Sequence, residues 1–406
     1  FGSVELVSIA TYADSDMAYG YDEDWSYVGL HPWEYSSTDH YFRDKTSATL
    51  DMRLLSKDSA RLFNQTTSWV LGAYVKSEEE DLTRQYTYLE SDFSSTFETG
   101  TVALYGQLEA QLSEVLTLTT GLRVEDRQAD YVNSNNTSFD PSETMVGGKA
   151  VLAYQLNDTA LLYGSINRGY KAGGVNTDGT LPADLREFDS EYLWNYEIGY
   201  KLSLLQGDAY VRIAAFYMDR EDVQVKSSKT LTRPDGSSEF IVYLGNAAEG
   251  TNQGIEIDGA WQVSDMVELY GALGVLDTEI DNYINQDGVD ISGRDQAHAP
   301  GYQANLGVNV YLNDSWTVNL GVDAKDEFYF SDSHDQQSDS IALVNASVSY
   351  QMANWNVSLW GRNITDKDYA TRGFYFGNDP RDGYEAKPYY QYAEPAVYGV
   401  TVNYEF

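Results

Sequence analysis

A chain of 406 residues with 63 Asp plus Glu against 26 Lys plus Arg, a net charge of −37, has no basic surplus to neutralise phosphates, which sets nucleic-acid binding aside. It has no Cys, which excludes disulfides and thiolate metal sites, while 34 Tyr, 14 Phe and 8 Trp argue against disorder. No apolar run reaches the roughly 18 residues of a helical membrane span, but transmembrane β-strands need only about 9–11 residues with every second one apolar.

Period-two alternation dominates the sequence. Taken in chain order, it predicts about sixteen strands, near 2–13, 44–55, 66–77, 97–112, 115–128, 143–155, 159–171, 191–204, 208–226, 251–263, 266–278, 300–312, 315–327, 341–352, 354–366 and 395–406. The region 239–246 reads either as a strand extension or as loop. Leu116, Leu118, Leu122 and Val124 oppose Thr117, Thr119, Arg123 and Glu125. Ile255, Ile257, Trp261 and Val263 oppose Glu256, Asp258 and Gln262, and Trp316, Val318, Leu320 and Val322 oppose Thr317, Asn319, Gly321 and Asp323. At the end, Tyr398, Val400, Val402, Tyr404 and Phe406 oppose Gly399, Thr401, Asn403 and Glu405. Each segment has one greasy and one polar face.

The connections alternate in length. Short turns are expected at Ser113-Glu114, Asn157-Asp158, Gln206-Gly207, Ser264-Asp265, Asn313-Asp314 and Ala353-Asn354, with a somewhat longer one at 56–65. Long polar connections are expected at 14–43, 78–96, 129–142, 172–190, 227–250, 279–299, 328–340 and 367–394. Strict succession of short and long puts all turns at one end and all excursions at the other. That is the pattern of an all-β, antiparallel transmembrane β-barrel with periplasmic turns and extracellular loops, and a sandwich or propeller does not produce it. Trp69, Trp261, Trp316 and Trp355 fall near the short-turn end, where an aromatic girdle would lie.

These segments resemble TonB-dependent outer-membrane receptors. The resemblance rests on Gly164-Ser165-Ile166-Asn167-Arg168-Gly169-Tyr170-Lys171-Ala172-Gly173-Gly174-Val175-Asn176, on Trp360-Gly361-Arg362-Asn363-Ile364-Thr365-Asp366-Lys367-Asp368-Tyr369, and on Tyr196-Glu197-Ile198-Gly199-Tyr200-Lys201. Arg53-Leu54-Leu55-Ser56, Trp69-Val70-Leu71-Gly72-Ala73-Tyr74 and the ending Tyr404-Glu405-Phe406 also look familial. The resemblance implies a barrel of about 22 strands with an N-terminal plug. Residues 1–406 would then be the C-terminal barrel portion, without the plug and the first strands. It implies a receptor that binds a scarce, bulky nutrient at extracellular loops, with an iron chelate preferred, and imports it with energy from TonB through the plug segment. The expected partners are outer-membrane lipids and lipopolysaccharide, the TonB complex, the barrel-assembly machinery at Phe406 and a small-molecule nutrient. The location expected is the bacterial outer membrane, with the C-terminus periplasmic. The alternative is a passive sixteen-stranded porin-like channel.

No catalytic residues, metal site or cofactor are expected. His31, His40, His298 and His334 all fall in predicted connections without metal-ligand spacing, and no Gly-x-Ser-x-Gly elbow occurs. Asp14, Asp16, Asp22, Asp24 and the run Glu78-Glu79-Glu80-Asp81 read as solvated acidic loop, without a calcium-loop pattern. The candidate ligand contacts are Arg168, Tyr170 and Lys171 at the mouth end of a strand, with the loop aromatics Trp33, Tyr35, Phe374 and Tyr375. The cations would act through charge-assisted hydrogen bonds and the rings by stacking. For each group the plainer reading is interstrand pairing or packing between loops.

Overall fold

The computed structural model describes the chain apart from residues 1, 26, 31–35, 178–180, 183–184, 233–237, 247–248, 282 and 284–288. Its strands in chain order are β1 Val4–Asp22, β2 Thr38–Ser56, β3 Thr67–Tyr86, β4 Phe93–Gln111, β5 Leu116–Asn133, β6 Ser138–Phe139, β7 Ser142–Asn157 and β8 Ala160–Lys171. There follow β9 Gly174–Val175, β10 Glu187–Phe188, β11 Glu191–Leu204, β12 Ala209–Glu221, β13 Gln224–Thr232, β14 Ser238–Asn246, β15 Glu249–Ser264 and β16 Val267–Asp281. The last are β17 Tyr302–Tyr311, β18 Trp316–Lys325, β19 Ile341–Met352, β20 Trp355–Arg362, β21 Ala370–Gly377, β22 Ala386–Tyr392 and β23 Val397–Tyr404.

Seventeen strands form one antiparallel sheet, and apart from the two-residue β6 each crosses the wall next to its sequence neighbour. These sixteen wall strands answer to the sixteen predicted segments. The remaining strands are loop hairpins, β9 with β10, β13 with β14, and β21 with β22. The ambiguous region 239–246 lies in β14, paired with β13 away from the wall. Strands β1 and β23 are the edges of the wall, each paired on one side.

The wall curves. At the long-loop end its first and last connections meet, with Asn378 Nδ2 donating to the Asp24 carbonyl at 2.8 Å and Trp25 packed edge-on against Phe374 and Phe376, both at 5.3 Å. Alternation then sorts side chains into two faces. Direct cross-strand partners share a face, so Leu54, Leu71, Leu104, Leu122 and their neighbours point outward, and Leu71, Leu104 and Leu122 are mostly exposed. Asp51, Tyr105 and Arg123 point inward, where Tyr105 Oη of β4 reaches over β3 to Asp51 of β2 at 2.8 Å.

Small inward residues on the polar face have a packing reason. Gly72, Gly199 and Gly307 pair directly with Tyr105, Tyr163 and Tyr270, and a Cβ at each glycine would stand 2.1, 2.3 and 2.2 Å from the ring laid over it. Each phenol is thereby aimed along the inward face, as Tyr163 Oη is to Glu197 at 2.6 Å.

The turns follow their residues. Asn313 Oδ1 accepts from the Ser315 and Trp316 amides, and Asn157 Oδ1 from the Thr159 amide and hydroxyl. Trp261, Trp316 and Trp355 lie on the outward face at this end, Trp316 against Tyr350 and Trp355 against Tyr404 with ring centroids 4.6 Å apart.

The predicted loops 14–43 and 78–96 are corrected. Strands β1 to β4 continue through 14–22, 38–43, 78–86 and 93–96, leaving only 23–37 and 87–92 as connections. His40, expected in a loop, lies in β2, and His31 falls outside the described residues. The acidic run divides by alternation. Glu78 and Glu80 face inward, paired with Lys45 and Lys76 and with Arg43, while Glu79 and Asp81 face outward.

Candidate functional site

The tall part of the wall, β1 to β3, carries an inward cavity of about 400 Å³ at the long-loop end. The wall supplies Tyr19 and Tyr21 from β1, Asp39, Tyr41 and Arg43 from β2, and Leu82, Arg84 and Tyr86 from β3. Two connections close it, one with Asn176 and Thr177 and the β13–β14 hairpin with Lys226 and Val242. Register explains the convergence. Tyr19 pairs with Tyr41 and Tyr21 with Asp39, while Asp39 pairs with Tyr86 and Tyr41 with Arg84, so one face presents rings and guanidinium groups in rows.

Asp39 is the centre of the site. It is 1 % exposed and accepts from Arg84 Nε at 2.9 Å, Arg84 Nη2 at 2.7 Å, Tyr41 Oη at 2.9 Å and Tyr21 Oη at 3.2 Å. This two-pronged pairing fixes the guanidinium plane. Arg84 lies over the rings of Tyr41 and Tyr86, at 5.3 and 4.7 Å, and Arg43 over Tyr41 at 5.7 Å. Tyr19 stacks on Tyr41 with centroids 5.0 Å apart and planes 7° apart. Arg43 pairs with Glu80, and Tyr86 Oη donates to Glu23 at 3.3 Å. Three cations and two carboxylates line the cavity of a chain whose overall charge is −37. Lys226, which faces it, has no acidic partner among the described residues. A preorganised recess of this kind offers ring faces for stacking and guanidinium groups for charge-assisted hydrogen bonds.

A second cluster packs the loops over the shorter wall. Arg294 donates through Nη2 to the carbonyls of Ser331 at 3.1 Å and His334 at 2.5 Å, and stacks on Tyr329 at 3.9 Å. Phe328 and Phe330 are buried in the same loops, edge-on to each other at 5.5 Å, and Phe330 meets Tyr390 at 6.0 Å. Burial pushes the Asp332 carboxyl up and holds the His298 and His334 imidazoles below their usual range.

The residues singled out from sequence are dispersed. Tyr170 Oη contacts Glu125 and Arg123 of the inward face, both at 3.1 Å, and lies outside the cavity. Arg168 pairs in register with Gly148 and Trp194 on the outward face, its guanidinium 4.0 Å over Tyr192, and Lys171 is exposed at the end of β8. Phe374 packs on Trp25, and Tyr375 on His334 at 6.4 Å. Trp33 and Tyr35 fall outside the described residues. The cavity residues lie in stretches whose polar composition reads as loop. Their signal was present, with Tyr19 and Tyr21, Asp39, Tyr41 and Arg43, and Leu82, Arg84 and Tyr86 each spaced by two.

The family of TonB dependent receptor-like β-barrels matches residues 4–364. The pesticin receptor of Yersinia pestis is 23 % identical over 385 residues, covering 88 % of this chain and 54 % of the relative. The metal-pseudopaline receptor CntO of Pseudomonas aeruginosa is 26 % identical over 159 residues, 38 % of this chain and 20 % of that protein. Among solved structures, the ferric yersiniabactin uptake receptor FyuA from Yersinia pestis superposes with a TM-score of 0.79 at 20 % identity, covering 100 % of this chain and 59 % of that one. The siderophore receptor PiuA from Acinetobacter baumannii gives 0.75 at 17 %, over 100 % and 62 %. These likenesses fix the fold, and the chain spans about half the length of the pesticin receptors it matches. The relatives are receptors, not enzymes. On the match to residues 4–364, the chain belongs to the TonB-dependent receptor β-barrel family.

Proposed function

We propose that this barrel belongs to an outer-membrane receptor that binds an anionic metal chelate at the cavity of β1 to β3 and imports it. The observation that carries the reading is the tyrosine-lined recess that gathers Arg43, Arg84 and Lys226 on the inward face of a strongly acidic chain. The names of the relatives, receptors for ferric yersiniabactin and other siderophores among them, support a chelated metal as cargo. Energy would come from TonB through a plug inside the barrel. The long loops would be extracellular and the C-terminus periplasmic, with Phe406 presented to the assembly machinery. Lipopolysaccharide and other membrane lipids would surround the outward face. Further strands would complete the wall, because unpaired strand edges in a lipid core cost several kcal/mol per orphaned backbone group.

The test uses the full-length protein in detergent, titrated with ferric chelates of different charge. An anionic chelate should bind, and Arg43→Gln should weaken it about tenfold, the effect of losing one charge-assisted hydrogen bond. If no chelate binds and planar bilayers show a standing open pore, the passive sixteen-stranded channel is the better reading.

A further inference from the structure

The outward face holds one feature that a merely lipid-wetted wall does not need. Arg168 stands at an outward register position, whereas Arg43, Arg53, Arg84, Arg123 and Arg212 share the inward face. Its guanidinium is held in place. Nη1 donates to the Val146 carbonyl, and the group lies over Tyr192 at 4.0 Å and Trp194 at 5.9 Å. No carboxylate pairs with it among the described residues, although the chain carries 63.

Directly below Arg168, toward the short-turn end, the same strands form an open apolar groove of about 610 Å³. It exists because small residues alternate with large ones across neighbouring strands. Leu152 pairs with Gly164, Gly164 with Ile198, and Ile198 with Ala215, while the row above holds Ile166 and Tyr196. Arg168 stands two residues beyond Ile166 on β8, which places its backbone about 6–7 Å above the groove rim at the strand rise, with the guanidinium further toward the long-loop end beside Tyr192. Trp194 stacks on Tyr196 at 6.5 Å beside it, the ring pair expected where a membrane surface meets water.

We infer that this is a site for a single phosphate-bearing membrane lipid, its phosphate on Arg168 and an acyl chain in the groove. A lone, oriented guanidinium without a carboxylate partner recognises a phosphate oxygen by charge-assisted hydrogen bonding. The groove below takes a chain running toward the membrane centre, and the ring pair packs the neck between them. The inference rests on the membrane reading of the wall, and a failure of that reading would be visible separately as a full-length protein that stays in solution without detergent.

The experiment is native mass spectrometry of the full-length, detergent-extracted protein, with mass and phosphorus content of the retained lipid recorded. Two variants act on the two halves of the site. Arg168→Ala removes the cation, and Gly164→Leu fills the groove, where a Cβ meets nothing nearer than the Glu197 carbonyl at 3.9 Å. Each should lower the retained lipid about fivefold or more, while Arg168→Lys keeps part of it, as expected of a point charge replacing a fork. Heat-modifiable gel mobility establishes that the variants are folded. Retention unchanged in both variants overturns the site. Loss in Arg168→Ala but not in Gly164→Leu, with inorganic phosphate alone competing, shows a free anion site and overturns the lipid.

Discussion

The two sides of the wall build the long-loop end in different ways. Strands β1 to β5 are 19, 19, 20, 19 and 18 residues long, whereas β17 to β20 and β23 are 10, 10, 12, 8 and 8. A span needs about 9–11 residues, so the tall side stands roughly 25 Å beyond it and the short side hardly at all. On the tall side the mouth is made of strand residues whose spacing is fixed by ladder hydrogen bonds. On the short side it is made of loops held by buried rings and by one arginine. A recess borne on strands is preorganised and loses little entropy when it binds, while a loop-built lid can rearrange.

The contrast breaks most sharply at the two arginines. Arg84→Ala leaves Asp39, 1 % exposed, without its cation, and breaking a buried pair by removing one partner costs about 3–5 kcal/mol. Chelate binding by the full-length protein should be lost, and amide exchange should speed up along 38–44 and 82–88. Arg294→Ala removes hydrogen bonds to two carbonyls, an exposed ion pair with Asp335 and a stack on Tyr329, together worth about 1–3 kcal/mol, and its effect should stay within 329–336. Equal effects of the two variants on the cavity would show that the sides are not separate.

Trp25 joins the sides, and its loss should be felt less. It sits at φ 51°, unfavourable for a bulky residue, and is kept there by edge contacts with Phe374, Phe376 and Tyr389. Ring pairs of this kind are each worth about 0.5–1.5 kcal/mol. Trp25→Ala should raise amide exchange in 373–391 by about tenfold while β1 and β2 stay protected. Trp25→Gly accepts the φ without strain but lacks the ring, so it should loosen the same segment. Protection retained in both would mean that the Asn378 to Asp24 bond alone closes the seam.

This division also decides what could be read from the sequence. Within the lipid span, one face is Leu, Val and Ile and the other Thr, Asn, Gly and Glu, so hydropathy alternates and the strand is visible. The segments 191–204 and 341–352 were placed with the bounds they have. Above the span the same period continues with polar residues on both faces. In β1, Tyr19 and Tyr21 point inward, while Asp14 and Asp16 point outward, and the hydropathy contrast that marks a strand disappears. The cavity was hidden for a second reason. Asn176, Lys226 and Val242 reach it from connections far from β1 to β3, and no local motif records that meeting. Arg168 was legible as a residue at the end of a strand, but its face depends on a register that only the pairing with Gly148 and Trp194 fixes.

The smallest expected effect is a pH response confined to the loop-built side. Burial is the main cause of the lowered His298 and His334 values, with Arg372 and Arg294 respectively adding to it. His334 Nδ1 accepts the Gln336 amide at 3.2 Å, a bond that the imidazolium cannot make. Folding therefore favours the neutral rings. That stabilisation is present above the ordinary value of 6.5 and is lost as pH falls from there toward the lowered values. Asp332, pushed up by burial, has the opposite sign, since its protonated form suits the packing and its contribution is lost as pH rises through the raised value. Asp332 accordingly offsets part of the loss only at lower pH, and the loops should loosen first just below 6.5. Amide exchange in 328–336, corrected for the intrinsic rate, should rise between pH 7.5 and 5.5, by about two- to fivefold, while 38–44 and 82–88 hold steady. His334→Gln should flatten the response at its own loop. A rise of equal size on the strand-built side would show that the two sides respond as one unit, and the contrast between them would fail.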